Sequence, residues 1–226
     1  MIKYYILLLF FWIESISYAQ FQSVKIDFKL FYAEQEMHLN EKTELDSTNW
    51  IAFSKVKFYI GNFRSYANGY SDSSHMNGYY LIDFSDSSSL TINYESVSTP
   101  DAICFLIGTD SLTNVSGLFD GALDPLNGMY WAWNSGYINI KIEGSSSISS
   151  SPDKKYEFHV GGYASPYTTS KELCFNSNSN EVAFKLDLSK VINADLLEHS
   201  PSITIPGKNA MMYSDSFKRA IFQIEQ

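Results

Sequence analysis

The chain has 226 residues, 45% hydrophobic, 16% aromatic and 18% charged, enough apolar material for one large all-β domain or two small ones. Its formal net charge of −9 argues against a nucleic-acid partner, because phosphate binding needs basic patches and none is visible. Beyond the N-terminus no segment is long and apolar enough to span a membrane.

Residues 1–19 read as a secretory signal peptide. Lys3 gives a minimal positive start, Tyr4 to Ile13 an apolar run, and Ser17-Tyr18-Ala19 a small-x-small cleavage signal. The run is short of the roughly 20 residues a membrane span needs, and Glu14 interrupts it. The mature domain is therefore expected to be 20–226, in the periplasm or secreted. In such an oxidising compartment Cys104 and Cys174 are most simply a disulfide. It would close about 70 residues and contribute on the order of 4 kcal/mol. Two buried thiols or soft metal ligands are the alternatives.

In chain order, Val24, Ile26, Phe28 and Leu30 alternate with polar residues, as in a strand with one solvated face. Residues 33–49 are acidic and read as a connection holding His38. Trp50 to Tyr66 is β-branched and aromatic, suiting one strand or a bulged pair. Asn68-Gly69 and Asn77-Gly78 are turn signals, with His75 in the Ser- and Tyr-rich loop between them. Tyr79 to Phe84 and Leu90 to Tyr94 are short strands. Ala102 to Ile107 is a continuous apolar run, expected to be a central strand buried on both faces.

Asp124-Pro125 then opens a turn, and Met129 to Trp133 is expected to be extended, with Met129, Trp131 and Trp133 on one face. Ile138, Ile140 and Ile142 alternate with Asn139, Lys141 and Glu143, the period of a half-buried strand. Ser145 to Asp153 reads as a flexible surface loop. Tyr156, Phe158 and Val160 face one way and Glu157 and His159 the other, before Gly161-Gly162. Val182 to Leu186 is a strand, Ser189 to Leu197 a short helix capped by Ser189, Ile203 to Ile205 a brief strand, and the last residues a helical turn and strand. The fold class is all-β: a single β-sandwich-like domain with long loops and one or two short helices.

No nucleophile elbow, phosphate-binding loop, dinucleotide fingerprint or His-Glu-x-x-His is present, so no enzyme activity is expected. Asp83 and Asp86 sit in Ser-rich turns and suit backbone capping. Two groups could carry chemistry: the Trp131/Trp133 pair, and His159 beside a double glycine that permits close approach. Imidazole is the commonest copper and zinc ligand at neutral pH, although a lone strand histidine is more often structural.

Gly128-Met-Tyr-Trp-Ala-Trp-Asn-Ser-Gly-Tyr-Ile-Asn-Ile-Lys-Ile-Glu-Gly144, followed by Phe158-His-Val-Gly-Gly162, resembles the signature of the MbnP-like family. These are methanobactin-associated periplasmic proteins, related to copper-repressed surface proteins of methane-oxidising bacteria. Lys57-Phe-Tyr-Ile-Gly-Asn62, Phe105-Leu-Ile-Gly-Thr-Asp110, Leu123-Asp-Pro125 and the C-terminal end are similar too, so the resemblance covers most of the mature chain. It implies a copper-binding domain in which a tryptophan of the Trp-x-Trp motif, here Trp131 or Trp133, is oxidised to kynurenine by a di-haem MauG-type peroxidase. The new aniline nitrogen then joins a histidine, here His159, on the metal. Copper-binding relatives carry a second histidine near the first strand. This strand reads Phe28-Lys-Leu-Phe-Tyr32, and His38 is the nearest substitute. The competing expectation is a β-sandwich module that binds a sugar or a protein through surface aromatics such as Tyr66, Tyr70, Tyr79, Tyr163 and Tyr167.

Overall fold

The computed structural model describes residues 21–72, 78–134 and 136–224. The expected signal peptide, His75 and Asn77 lie outside these residues. Two curled sheets pack face to face around one apolar core, with short helices at their margins. The smaller sheet runs Ile221–Ile224, Glu181–Asp187, Gln22–Tyr32, Gln35–Glu36, and Thr91–Ser96 also pairs with Gln22–Tyr32. The larger runs Lys171–Asn176, Ala102–Ile107, Trp50–Ala67, Gly136–Ser146, Lys155–Gly161, Ser202–Ile203. Short strands Lys42–Glu44, Tyr70–Asp72 and Tyr80–Asp83 also pair with Trp50–Ala67.

Alternation decides which side chains enter the core. Val24, Ile26, Phe28 and Leu30 are all at most 3% exposed, and their neighbours Lys25 and Lys29 face water. Facing them across the sandwich are Phe58 and Phe105, with ring centroids 5.7 and 6.3 Å from that of Phe28, while Phe184, its neighbour on the adjacent strand, stacks on it at 5.5 Å. The helix Lys208–Lys218 closes one end by inserting Phe217, 5.4 Å from Phe58, and Tyr213, 4.9 Å from Phe158. Gln22–Tyr32 pairs in parallel with Glu181–Asp187, which joins the two ends of the domain.

One open local expectation is resolved and several others are corrected. Trp50–Ala67 is one strand of 18 residues, and its register against Ala102–Ile107 shifts between Gly61 and Arg64, where Asn62 takes φ 45°. Residues 33–49 are not a bare connection, because Gln35–Glu36 and Lys42–Glu44 add to the sheets. The serines after Gly144 do not form a flexible loop. Ser146 and Ser149 are fully buried, and their hydroxyls donate to the carbonyls of Trp50 and Lys155 at 2.8 and 2.7 Å. Short hydroxyl side chains can satisfy buried backbone acceptors, which composition alone does not reveal. Ser189 does not cap one short helix running to Leu197; a 3-10 turn Leu188–Lys190 precedes Ala194–His199, whose cap is Asn193, with Oδ1 accepting from Leu196 N at 2.9 Å.

Candidate metal centre

The strand Lys155–Gly161 presents the candidate histidine. Tyr156, Phe158 and Val160 are held in the core, so His159 and Gly161 must point to the outer face of the larger sheet. The His159 side chain is 17% exposed there.

The tryptophan motif is brought over the same face by a loop. Asp124 Oδ1 accepts from Leu126 N at 2.8 Å and starts a 3-10 turn, Pro125–Asn127, which Gly128 ends at φ +72°. Lys141 Nζ donates to Gly128 O at 2.9 Å and Lys57 Nζ to Asn127 O at 3.5 Å, which ties the loop to the sheet. Tyr130–Trp131 then pairs with Gly136 and Tyr137 as a two-residue strand. Trp131 is 6% exposed and its six-membered ring lies against Gly161. A β-carbon on Gly161 would fall 2.7 Å from Trp131 Cζ3 and 2.4 Å from Tyr137 O. Only glycine allows that approach. Trp131 thus covers a residue two positions from His159 on one face. The contact is made by the ring, for Tyr130–Trp131 pairs with Gly136–Ser146 and not with the histidine's own strand.

The extended run expected from Met129 to Trp133 stops at Trp131. Residues 132–134 turn, with Asn134 N donating to Trp131 O at 3.3 Å. Met129 and Trp131 are buried, whereas Trp133 is 64% exposed, its ring centroid 5.6 Å from that of Trp131. Tyr137 and Asn139 are also buried, so Gly136–Ser146 is half-solvated only from Lys141 onward.

Around His159 the outer face carries a ladder of charges. His159 Nε2 lies 2.9 Å from Glu143 Oε1, and Lys55 Nζ donates to Glu143 Oε2 at 2.8 Å. Lys141 Nζ stands 3.6 Å from Glu143 Oε1, and Lys57 pairs with Asp83 at 2.7 Å. Burial pushes the His159 pKa down, and the Lys141 charge adds to this against the opposing pull of Glu143, so the imidazole is neutral at neutral pH. Burial pushes Glu143 up, but the Lys55 and His159 hydrogen bonds and the lysine charges outweigh it and hold the carboxyl below its ordinary range. Burial also lowers Lys141.

The other candidates lie elsewhere. His38 is exposed at the edge of the smaller sheet, beside Met37 in a shallow cleft with Phe28, Phe84 and Leu90. Met37 is buried and its sulfur accepts from Thr43 Oγ1 at 3.1 Å. No described contact links His38 to His159. Cys104 and Cys174 face each other on adjacent strands and form a disulfide, with three strands between Cys174 and the strand of His159. No three His, Cys, Asp or Glu side chains converge on a metal position among the described residues. The unmodified chain therefore offers a neutral imidazole beside an indole. The Trp131 ring rests on Gly161, two residues from His159, so a donor nitrogen made from that ring would lie on the histidine's side of the sheet.

Two further groups escaped the sequence reading. Glu143 and Lys141 read only as part of a polar strand face and Lys55 carries no signal of its own; no pattern within one strand tells which residues meet across the ladder. The second is a buried polar chain behind the tryptophan loop. Asn139 Oδ1 accepts from Thr109 N and Oγ1 at 2.9 and 3.0 Å, and its Nδ2 donates to Thr169 Oγ1 at 2.8 Å. Asn114 joins Thr109 Oγ1 to Tyr137 N. Asp110 caps the helix Ser111–Val115 and accepts from Tyr79 Oη at 2.9 Å, and Asn62 lines the same cleft as Asp110. Asn62 and Asp110, quoted above from two separate motifs, thus line the same corner of the fold.

The described residues contain no helix long and apolar enough to cross a membrane. The MbnP family model matches residues 21–212. Among solved structures, MbnP from Methylosinus trichosporium is similar, with 17% sequence identity, a TM-score of 0.55, and coverage of 76% of this chain and 78% of that one. No protein of curated function matches the sequence.

Proposed function

The chain belongs to the MbnP family, and on that premise we propose that it is a periplasmic or secreted copper-binding protein without catalytic turnover. The observation that carries the proposal is the contact of the Trp131 ring with Gly161, two residues from His159 on one sheet face. An indole nitrogen is a poor donor because its lone pair belongs to the aromatic ring. Oxidation of Trp131 by peroxide or dioxygen would cleave the C2–C3 bond of its pyrrole ring with both carbons oxidised to carbonyls, and hydrolysis would then release C2 as formate and leave kynurenine's aniline amine, a usable nitrogen ligand beside an imidazole. A di-haem MauG-type peroxidase is the proposed partner for that oxidation. Trp133, 64% exposed and 5.6 Å from Trp131, is the side chain such a partner meets first. His159 supplies the protein's imidazole, and bound copper supplies a redox-active centre. The lysine ties on Asn127 and Gly128 keep the tryptophan loop seated.

Peptide mapping of residues 128–144 from protein purified out of its native host, with metal analysis of the same sample, tests this reading. The expected result is kynurenine at position 131 together with bound copper. Unmodified tryptophans and no copper would leave a non-catalytic module that binds a sugar or protein through its exposed aromatics.

A further inference from the structure

The contact between His159 and Glu143 goes beyond burial of a polar pair. We infer that Glu143 is a positioning residue that fixes the tautomer of His159, leaving Nδ1 as the nitrogen that donates to a metal. This rests on the reading of His159 given above. An ionised carboxylate can only accept hydrogen bonds. Lys55 Nζ, 2.8 Å from Glu143 Oε2, and Lys141 Nζ, 3.6 Å from Oε1, surround Glu143 with positive charge and keep it ionised. The 2.9 Å contact between His159 Nε2 and Glu143 Oε1 then requires the proton to be on Nε2. Nδ1 keeps its lone pair, and no hydrogen bond among the described residues uses it.

The sheet register supports the same assignment. Glu143 sits opposite Glu157, two residues before His159, while Trp131 covers Gly161, two residues after it. Carboxylate and indole therefore flank the imidazole from opposite directions along the strand. A cation on the Glu143 side would meet Lys55 and Lys141 within a few ångströms, where like charges repel strongly. The lysines contribute by holding the carboxylate on Nε2. Carboxylate–histidine–metal arrangements use such a partner to set ring orientation and basicity, and losing it typically weakens metal affinity about 10–100-fold.

The test is nitrogen-15 NMR of the histidines in metal-free protein, with His159→Ala to assign the signal, beside copper titration of wild type and Glu143→Gln. The amide of Glu143→Gln keeps the shape but can donate as well as accept, so the tautomer is no longer fixed. Expected are an Nε2–H tautomer in wild type, a mixed population in Glu143→Gln at unchanged melting temperature, and about 10–100-fold weaker copper binding by the variant. An Nδ1–H tautomer in wild type, or Glu143→Gln with the wild-type tautomer and affinity, would overturn the inference. If Glu143→Gln does not fold, Glu143→Leu replaces it, removing the acceptor altogether, with the same shift toward a mixed tautomer expected. A wild type that binds no copper but shows the fixed tautomer would remove the proposed function and leave the positioning role supported.

Discussion

Trp131 and Gly161 are packed against each other so closely that a β-carbon at 161 would lie 2.7 Å from the indole ring and 2.4 Å from the Tyr137 carbonyl. The Tyr137 oxygen is backbone and cannot swing aside. Gly161→Ala is therefore expected to push the two strands apart locally and to expel the indole. Overpacking of this kind costs about 1–3 kcal/mol. Urea unfolding and tryptophan fluorescence check it: a lower midpoint and a red-shifted emission are expected. A variant with wild-type stability and spectrum would show that the indole does not rest on this residue.

Asn139, 1% exposed, is bonded at both ends of its amide, to Thr109 and to Thr169. Asn139→Ala leaves buried donors and acceptors without partners, each costing about 1–3 kcal/mol. Because Thr169 Oγ1 also donates to Gly162 O at 3.0 Å, the double glycine should loosen. Hydrogen exchange at residues 161–162 should speed up in this variant; unchanged exchange would separate the polar chain from the site.

Removal of the Cys104–Cys174 bond has a more global effect. It spans a sequence separation of 70, for which chain entropy gives about 4 kcal/mol. A Cys104→Ser/Cys174→Ser double variant should lose stability of that order. Copper affinity should be unchanged wherever the domain is folded, since three strands separate Cys174 from the strand of His159. Loss of metal binding in the folded double variant would contradict this placement.

Acid should weaken the corner around Asp110. Burial pushes its carboxyl up, but the Thr113 N–H, the Tyr79 and Thr113 hydroxyls and the Asn62 amide outweigh burial and hold the pKa below 3.8. A depressed folded-state pKa means the group contributes stability above its unfolded value, and that contribution is lost as pH falls through the folded value. Asp110→Asn keeps a capping side chain but removes the titration. The stability gap between wild type and Asp110→Asn should thus narrow between about pH 5 and about pH 2. A constant gap would mean Asp110 does not titrate differently on folding.

Much of the sandwich is legible in the sequence because one face of most strands is core and the other is water. Val24 to Leu30, Tyr156 to Val160 and Val182 to Leu186 carry that alternation plainly. It fails where both faces are covered. Asn139 reads as outward-facing, and Tyr137 lies two residues before it, yet the tryptophan loop and the Thr109 segment bury them. The turn after Trp131 was equally hidden, since Trp-Ala-Trp has the composition of a strand. Which strands are neighbours is a tertiary fact, and it made Glu143 invisible as the partner of His159. His159, Trp131 and Trp133 could be singled out, but not the division of labour between a buried and an exposed indole.

Copper titration of native-host protein, wild type against His159→Ala, tests the central claim most directly, with His199→Ala as a control. His199 is exposed at the end of its helix and its Nδ1 lies 3.0 Å from Asp195 O. The account predicts that His159→Ala loses roughly 100-fold or more in affinity, beyond the 10–100-fold typical of losing an outer partner, while His199→Ala matches wild type. Undiminished copper binding by His159→Ala would contradict it and move the metal away from the Trp131 corner.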